Sequence, residues 1–218
     1  MRLRDRLYIY PWESMVENNC NSYLISGGVP TLIDPGHLHL MPQLEAGMAR
    51  DGFSFDDIRL VIATHPHPDH CEGILDFVER PARVTMHEAA EGFLGTFTDQ
   101  WEGMTGKSLP AFSMDFYLRR GRLRLGEDNF QVIETPGHAP GSICLYWEDE
   151  KVLFSGDVVF NRSVGRVDLP GGSPSDLIQS LNLLMALDVD LLLPGHGPPV
   201  EGKGAVKENF YLVRSLFQ

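Results

Sequence analysis

The sequence predicts a single α/β domain spanning residues 1–218, with its chemistry gathered at the ends of strands. Short apolar runs of β character alternate with amphipathic stretches in a β-α-β rhythm. Clusters of histidine and aspartate follow directly on four such runs: HPHPDH at 65–70, PGH at 136–138, SGD at 155–157 and PGH at 194–196. At 218 residues, with 43% hydrophobic and 22% charged content, the chain is long enough to fill one substantial core.

The opening third reads as a meander. LYIY at 7–10 and CNSYLIS at 20–26 have strand character, Gly27-Gly28 supplies a tight hairpin turn, and VPTLID at 29–34 returns. Met41, Leu44, Met48 and Ala49 fall near helical spacing over 41–50. RLVIATH at 59–65 is then a short buried strand that delivers its C-terminal end to the histidine loop. Pro66 and Pro68 hold that loop extended, exclude a helix before Asp69, and set His65 and His67 to the same side.

Beyond the loop, Ile74, Leu75, Phe77 and Val78 suggest a helix, and ARVTMHE at 82–88 a strand. Residues 91–117 are rich in Phe, Met, Trp and Gly without a sustained period, and read as an excursion from the core. It either folds onto its own body or forms a pocket wall, lid or oligomer contact, with Trp101, Phe112, Phe116 and Tyr117 as apolar candidates. RRGRLRL at 119–125 reads as a turn entering a strand with solvated arginines. Strands follow at 130–135, 142–147 and 151–157, a helix opens at Ser175-Asp176 and runs to about Leu187, and VDLLLPGH at 189–196 ends another buried strand. A last helix is expected near 205–217.

The net charge of −12 repels phosphate backbones and anionic surfaces, so neither nucleic acid nor membrane is expected as a partner. A small-molecule substrate is expected instead, with a homodimer left open. Cys20, Cys71 and Cys144 are odd in number and lack a C-x-x-C pattern, which points to a reducing compartment. No apolar run of signal-peptide length opens the chain, and none approaches the roughly 18 residues of a membrane span. The expected location is cytoplasmic.

The strand-end clusters hold five imidazoles, His65, His67, His70, His138 and His196, and two carboxylates, Asp69 and Asp157. In open α/β sheets the carboxyl ends of strands are where ligands bind, so this arrangement can bring all the clusters to one rim. A nitrogen-rich set without thiolates suits zinc, iron or manganese and disfavours calcium or magnesium. Seven donors exceed one tetrahedral ion, and divide into two sites of three sharing a carboxylate, with a position open for water.

The H-x-H-x-D-H signature, with later His, Asp and His in order, resembles the metallo-β-lactamase superfamily from about Tyr8 to His196. The resemblance implies a four-layer αββα sandwich with the metal site at the edge of the two sheets. It implies that His65, His67 and His138 hold a first ion, that Asp69, His70 and His196 hold a second, and that Asp157 bridges them. Asp34, in IDPG at 33–36, matches a position the family uses behind the metal loop, and equally suits a turn before Pro-Gly. Cys71 follows the last loop histidine, and on an emerging helix it should face away from the metals into the core.

Two divalent ions, zinc first among the candidates and then iron or manganese, would lower the pKa of a bridging water and polarise a carbonyl, giving a metal-dependent hydrolase of a thioester or ester-type substrate. Asp69 would orient the hydroxide and relay its proton to the leaving group, and could also cap a helix starting at His70. The superfamily's zinc β-lactamases usually have Cys or Ser where this chain has Asp157. That Asp resembles the glyoxalase II-like branch, which acts on thioesters, and the G-R-x-D loop at 165–168 resembles that of both glyoxalase II-like proteins and persulfide dioxygenases. In that loop Arg166 and Asp168 should form an ion pair or meet substrate. Glyoxalase II itself carries a glutathione-binding helical domain, whereas 22 residues follow His196 here. The alternative is a mononuclear-iron persulfide dioxygenase using His65, His138 and Asp157; lactonase, phosphodiesterase or di-iron redox activity stand behind it.

Overall fold

Strands that are apolar on both faces must be covered on both faces, and that requirement shapes the chain. In the computed structural model, which describes residues 1–14, 16–95 and 114–217, they form two large sheets. The first has seven strands in chain order: β1 (Arg2–Arg4), β2 (Leu7–Tyr10), β3 (Ser22–Ile25), β4 (Thr31–Ile33), β5 (Leu60–Ile62), β6 (Arg83–His87) and β7 (Phe116–Leu118). Pairing is antiparallel from β1 to β4 and parallel from β4 to β7.

The second half supplies β8 (Gly121–Leu125), β9 (Asp128–Glu134), β10 (Ile143–Trp147), β11 (Val152–Gly156), a small ribbon of β12 (Val159–Phe160) with β13 (Ser163–Val164), then β14 (Leu191–Pro194) and β15 (Val200–Glu201). Six of these form a sheet in the order β15-β14-β11-β10-β9-β8, in which only β11 and β14 run parallel.

Three apolar clusters give four layers. Between the sheets, Ile33, Leu60 and Ile62 meet Val132, Ile143, Leu145 and Phe154. On the far face of the first sheet, Leu24, Leu32 and Val61 pack against Met41 and Met48 of the helix Met41–Arg50. On the far face of the second, Cys144, Leu153 and Leu192 pack against Leu177 and Leu181 of the helix Pro174–Leu184 and Phe210 and Val213 of the helix Lys203–Ser215. The order helices, sheet, sheet, helices is the αββα sandwich expected from the sequence. Among the described residues no helix is long and apolar enough to cross a membrane.

Several local expectations change. The loop helix spans Pro68–Cys71, starting at Pro68 rather than after it, because proline at the first helical position forfeits no hydrogen bond. Asp69 therefore lies inside the first turn and caps nothing; the cap position is His67. Residues Glu72–Phe77 form a 3-10 helix rather than an α-helix. The helix expected to reach Leu187 ends at Leu184; it is set by Pro174 and by the Ser173 hydroxyl, which accepts from Asp176 N at 3.3 Å. Strand β1, with the sequence RLR, has no apolar run to announce it and forms by pairing at the sheet edge.

The excursion is regular at both described ends, helical over 88–95 and extended in β7. Residues 96–113, with Trp101 and Phe112, lie outside the described residues. Phe116 and Tyr117 sit on the edge strand, each 39% exposed.

Candidate metal centre

Five strands point their C-terminal ends at one edge of the sandwich. From the first sheet, β4 leads into Asp34 and β5 into Thr64 and His65. From the second, β9 leads into His138, β11 into Asp157 and β14 into His196. Close backbone contacts lock the sheets together there. Ile143 N donates to Thr64 O at 2.9 Å, Asn21 N donates to Gly195 O at 2.7 Å, and the Asn21 side-chain amide donates to Pro194 O at 3.0 Å and Gly197 O at 2.8 Å.

All seven predicted side chains come together at this edge. Three groups have donor atoms within 4.8 Å of one another: His65, His67 and His138; His65, His70 and Asp157; and Asp69, His70 and His196. His138 Nε2 lies 2.8 Å from His67 Nδ1, and the His65 and His67 rings stand 4.9 Å apart, so the extended H-x-H does place both on one side. Asp157 is central, with oxygens 3.2 Å from His70 Nε2, 3.5 Å from His138 Nε2 and 3.3 Å from His196 Nε2. Asp69 Oδ2 lies 3.3 Å from His196 Nε2.

The electrostatics divide this ring into two halves. Burial, reinforced by the neighbouring His70 charge, holds His65 neutral with its pKa well below the usual range. Burial likewise pushes His67 down to about 4 and lowers His138. Each of these three imidazoles is neutral, so each keeps one ring nitrogen able to donate a lone pair to a metal. On the other half, burial opposes charge but the carboxylates outweigh it. Asp157 and Asp34 raise His70 well above its ordinary value, and hydrogen bonds to Asp157 and Asp69 raise His196 to about 9. Asp69 and Asp157 pass the same test in reverse: burial pushes each up, and His196 and His70 hold each well below the carboxylate range.

A metal fits these residues by the atoms it would satisfy. His65 Nε2 and Asp157 Oδ1 are buried without a hydrogen-bond partner, a costly state for polar atoms unless another ligand is intended. Burying such donors in a ring lined by histidine and aspartate suits a first-row divalent ion.

Side chains behind the ring fix its orientation. Asp34, 1% exposed, accepts from Thr64 N at 2.7 Å and the Thr64 hydroxyl at 2.8 Å, and lies 2.9 Å from His70 Nδ1. The structure thus places it behind His70 as well as in a turn, where its φ of 54° marks a conformation that only a constrained non-glycine residue holds. His138 Nδ1 donates to Arg166 O at 2.7 Å. The Arg166 and Asp168 side chains pair bidentately at 2.9 and 2.8 Å, well exposed, as the ion-pair reading expects. Cys71 points away, its thiol 3.4 Å from Pro66 O within the outer core.

Three contributors carried no sequence signal strong enough to single them out. Asn18 donates to Asp69 Oδ2 at 2.7 Å, Phe160 sets its ring edge-on to His196 at 5.7 Å, and Gly195 leaves the room the carboxylate needs. A Cβ on Gly195 would sit 2.2 Å from Asp157 Oδ1 and 2.6 Å from His70 Cε1. Gly195→Ala is therefore expected to displace both side chains and lower the bound metal per chain. Its cost in stability should be about 1–3 kcal/mol, as for other overpacked sites. Metal analysis alongside thermal melting separates the two effects.

A cleft of about 480 Å³ opens over the ring, with Phe160, Val164 and Leu169 as apolar wall and Asn18 and Arg166 also lining it. A larger cleft, about 620 Å³, lies between Tyr10, Trp12 and the helix Met41–Arg50, and has no histidine in its lining.

The family described as the metallo-beta-lactamase superfamily matches residues 15–196. The acyl-coenzyme A thioesterase MBLAC2 of Bos taurus is 32% identical over 211 residues, covering 82% of this chain and 73% of that protein. The hydroxyacylglutathione hydrolase GloC of Haemophilus influenzae is 29% identical over 147 residues, 65% of this chain and 69% of that protein. A crystal structure of TTHA1623 in a di-iron-bound form superposes with a TM-score of 0.73 at 31% identity, covering 92% of this chain and 98% of that one.

Proposed function

The chain belongs to the metallo-beta-lactamase superfamily, and from that premise we propose that it is a binuclear metal-dependent hydrolase of thioesters, of the glyoxalase II-like type. The observation that carries the proposal is the ring of seven donors with Asp157 at its centre. His65, His67 and His138 would hold one ion and Asp69, His70 and His196 the other, with Asp157, 3.2–3.5 Å from His70, His138 and His196, available to both. Bound there, divalent ions supply Lewis acidity and lower the pKa of water toward neutrality.

The chain's own residues do the rest. Asp69, anchored by the Asn18 amide at 2.7 Å, orients the attacking water and carries its proton to the leaving sulfur as the C–S bond breaks. The Phe160, Val164 and Leu169 wall takes the acyl portion and keeps bulk water off the reacting carbon. Thioesters are favoured because two similar proteins carry names for thioester hydrolysis, one on a coenzyme A carrier and one on glutathione.

The test is hydrolysis by purified protein loaded with zinc, iron or manganese. Thioesters are expected to turn over faster than lactones, phosphodiesters or β-lactams. Failure on the whole panel with both ions bound would reject the hydrolase. Oxygen uptake with glutathione persulfide by protein holding a single iron would instead assign the dioxygenase chemistry.

A further inference from the structure

Outside the ring, one other group of side chains brings metal-donor atoms together among the described residues: His37, His39 and Glu72, whose donor atoms all lie within 4.8 Å of one another. We propose that these three residues form a separate binding site for a divalent transition-metal ion of the zinc class, with Glu17 as a fourth donor. His37 Nδ1 lies 2.9 Å from Glu72 Oε2, and His39 Nε2 lies 2.6 Å from Glu17 Oε1. Separate hydrogen-bonded pairs would account for each of those contacts. They do not require the two histidine rings to stand 5.3 Å apart with a donor atom from each of His37, His39 and Glu72 within 4.8 Å of the others.

The backbone prepares the geometry. His37 is extended, at φ −70° and ψ 140°, before a short 3-10 turn that carries His39, and the two rings lie 5.3 Å apart. Glu72 is held in place by Leu38 N, which donates to Oε2 at 3.1 Å, and His37 N donates to Asn19 Oδ1 at 2.9 Å. Two imidazoles and two carboxylates make a borderline donor set that fits zinc, cobalt or nickel and lacks the oxygen count calcium requires. Donors at bond lengths of about 2.0–2.2 Å around a tetrahedron stand roughly 3.3–3.6 Å apart, so small rotations of these side chains close the site.

The position gives the ion a role. Glu72 directly follows the helix Pro68–Cys71 that carries Asp69 and His70, and Glu17 precedes Asn18, the residue that donates to Asp69. Gly36, just before His37, donates its N–H to His70 O at 3.3 Å and accepts from Gly73 N at 2.7 Å. An ion here would tie the 17–19 segment, the 36–39 turn and the metal-loop helix together, making it a positioning site for the hydrolytic ring rather than part of it.

Cobalt(II) is the probe, because its visible absorption reports coordination. In protein with His70→Ala and His138→Ala, which break all three donor groups of the ring, one cobalt per chain with four-coordinate bands is expected to remain, and adding His37→Ala and His39→Ala should remove it. In otherwise native protein, His37→Ala with His39→Ala should lower the metal content by one ion per chain while circular dichroism stays unchanged. Equal metal content in native and His37/His39-substituted protein, or a His70/His138-substituted protein that is folded yet binds no cobalt, would overturn the proposal.

Discussion

Asp157→Asn is expected to lower the metal-dependent rate by at least about a hundredfold and to weaken metal retention by a similar factor, the scale seen when oriented groups around a metal are lost. Asparagine keeps the volume, so Gly195 still fits beside it and the core should stay intact. What it loses is the negative charge that sits within 3.2–3.5 Å of His70, His138 and His196. It also presents an amide where Oδ1, buried and without a hydrogen-bond partner, should accept an ion. Metal content after exhaustive dialysis, read beside thioester turnover and melting temperature, separates loss of the site from loss of the fold. A variant that kept both ions and full activity would remove Asp157 from the centre of the account.

The second large effect belongs to a residue that touches no substrate. Asp34→Ala strips the acceptor from Thr64 N, the Thr64 hydroxyl and His70 Nδ1, all buried. Each buried donor left unsatisfied costs about 1–3 kcal/mol, so a loss of several kcal/mol and a clearly lower melting temperature are expected. Freed from Asp34, the His70 ring also loses its orientation, and affinity for metal should drop by about 10–100-fold. Asp34→Asn is the informative partner. It tolerates the left-handed backbone at φ 54° and retains one acceptor oxygen, so it should recover stability more fully than metal affinity. Equal recovery of both would mean Asp34 acts only as a turn residue.

Much of this centre was legible because each donor follows an apolar run, and a strand buried on both faces has to end at the sandwich edge. RLVIAT before His65 and VDLLL before Pro194 are continuous for that reason: Val61 faces the outer helix while Leu60 and Ile62 face the other sheet. Asp34 was ambiguous because Asp before Pro-Gly serves a turn in any fold, and only the placement of Thr64 and His70 decides its second role. Asn18, Phe160 and Gly195 were silent because their functions arise from contacts across 36 to 125 residues of chain, which no local pattern encodes. Strand β1 and the 3-10 segment after the metal loop were missed for a related reason: edge pairing and a tightened turn depend on neighbours more than on periodicity.

The central claim is that this edge hydrolyses thioesters, and the most direct test is thiol release, followed with a thiol-reactive chromophore, from acyl-coenzyme A and acylglutathione substrates. Protein carrying both ions in the ring should release thiol catalytically, stop when a chelator removes the ions, and resume when zinc, iron or manganese is restored. Fully loaded, folded protein that releases no thiol from either carrier would contradict it.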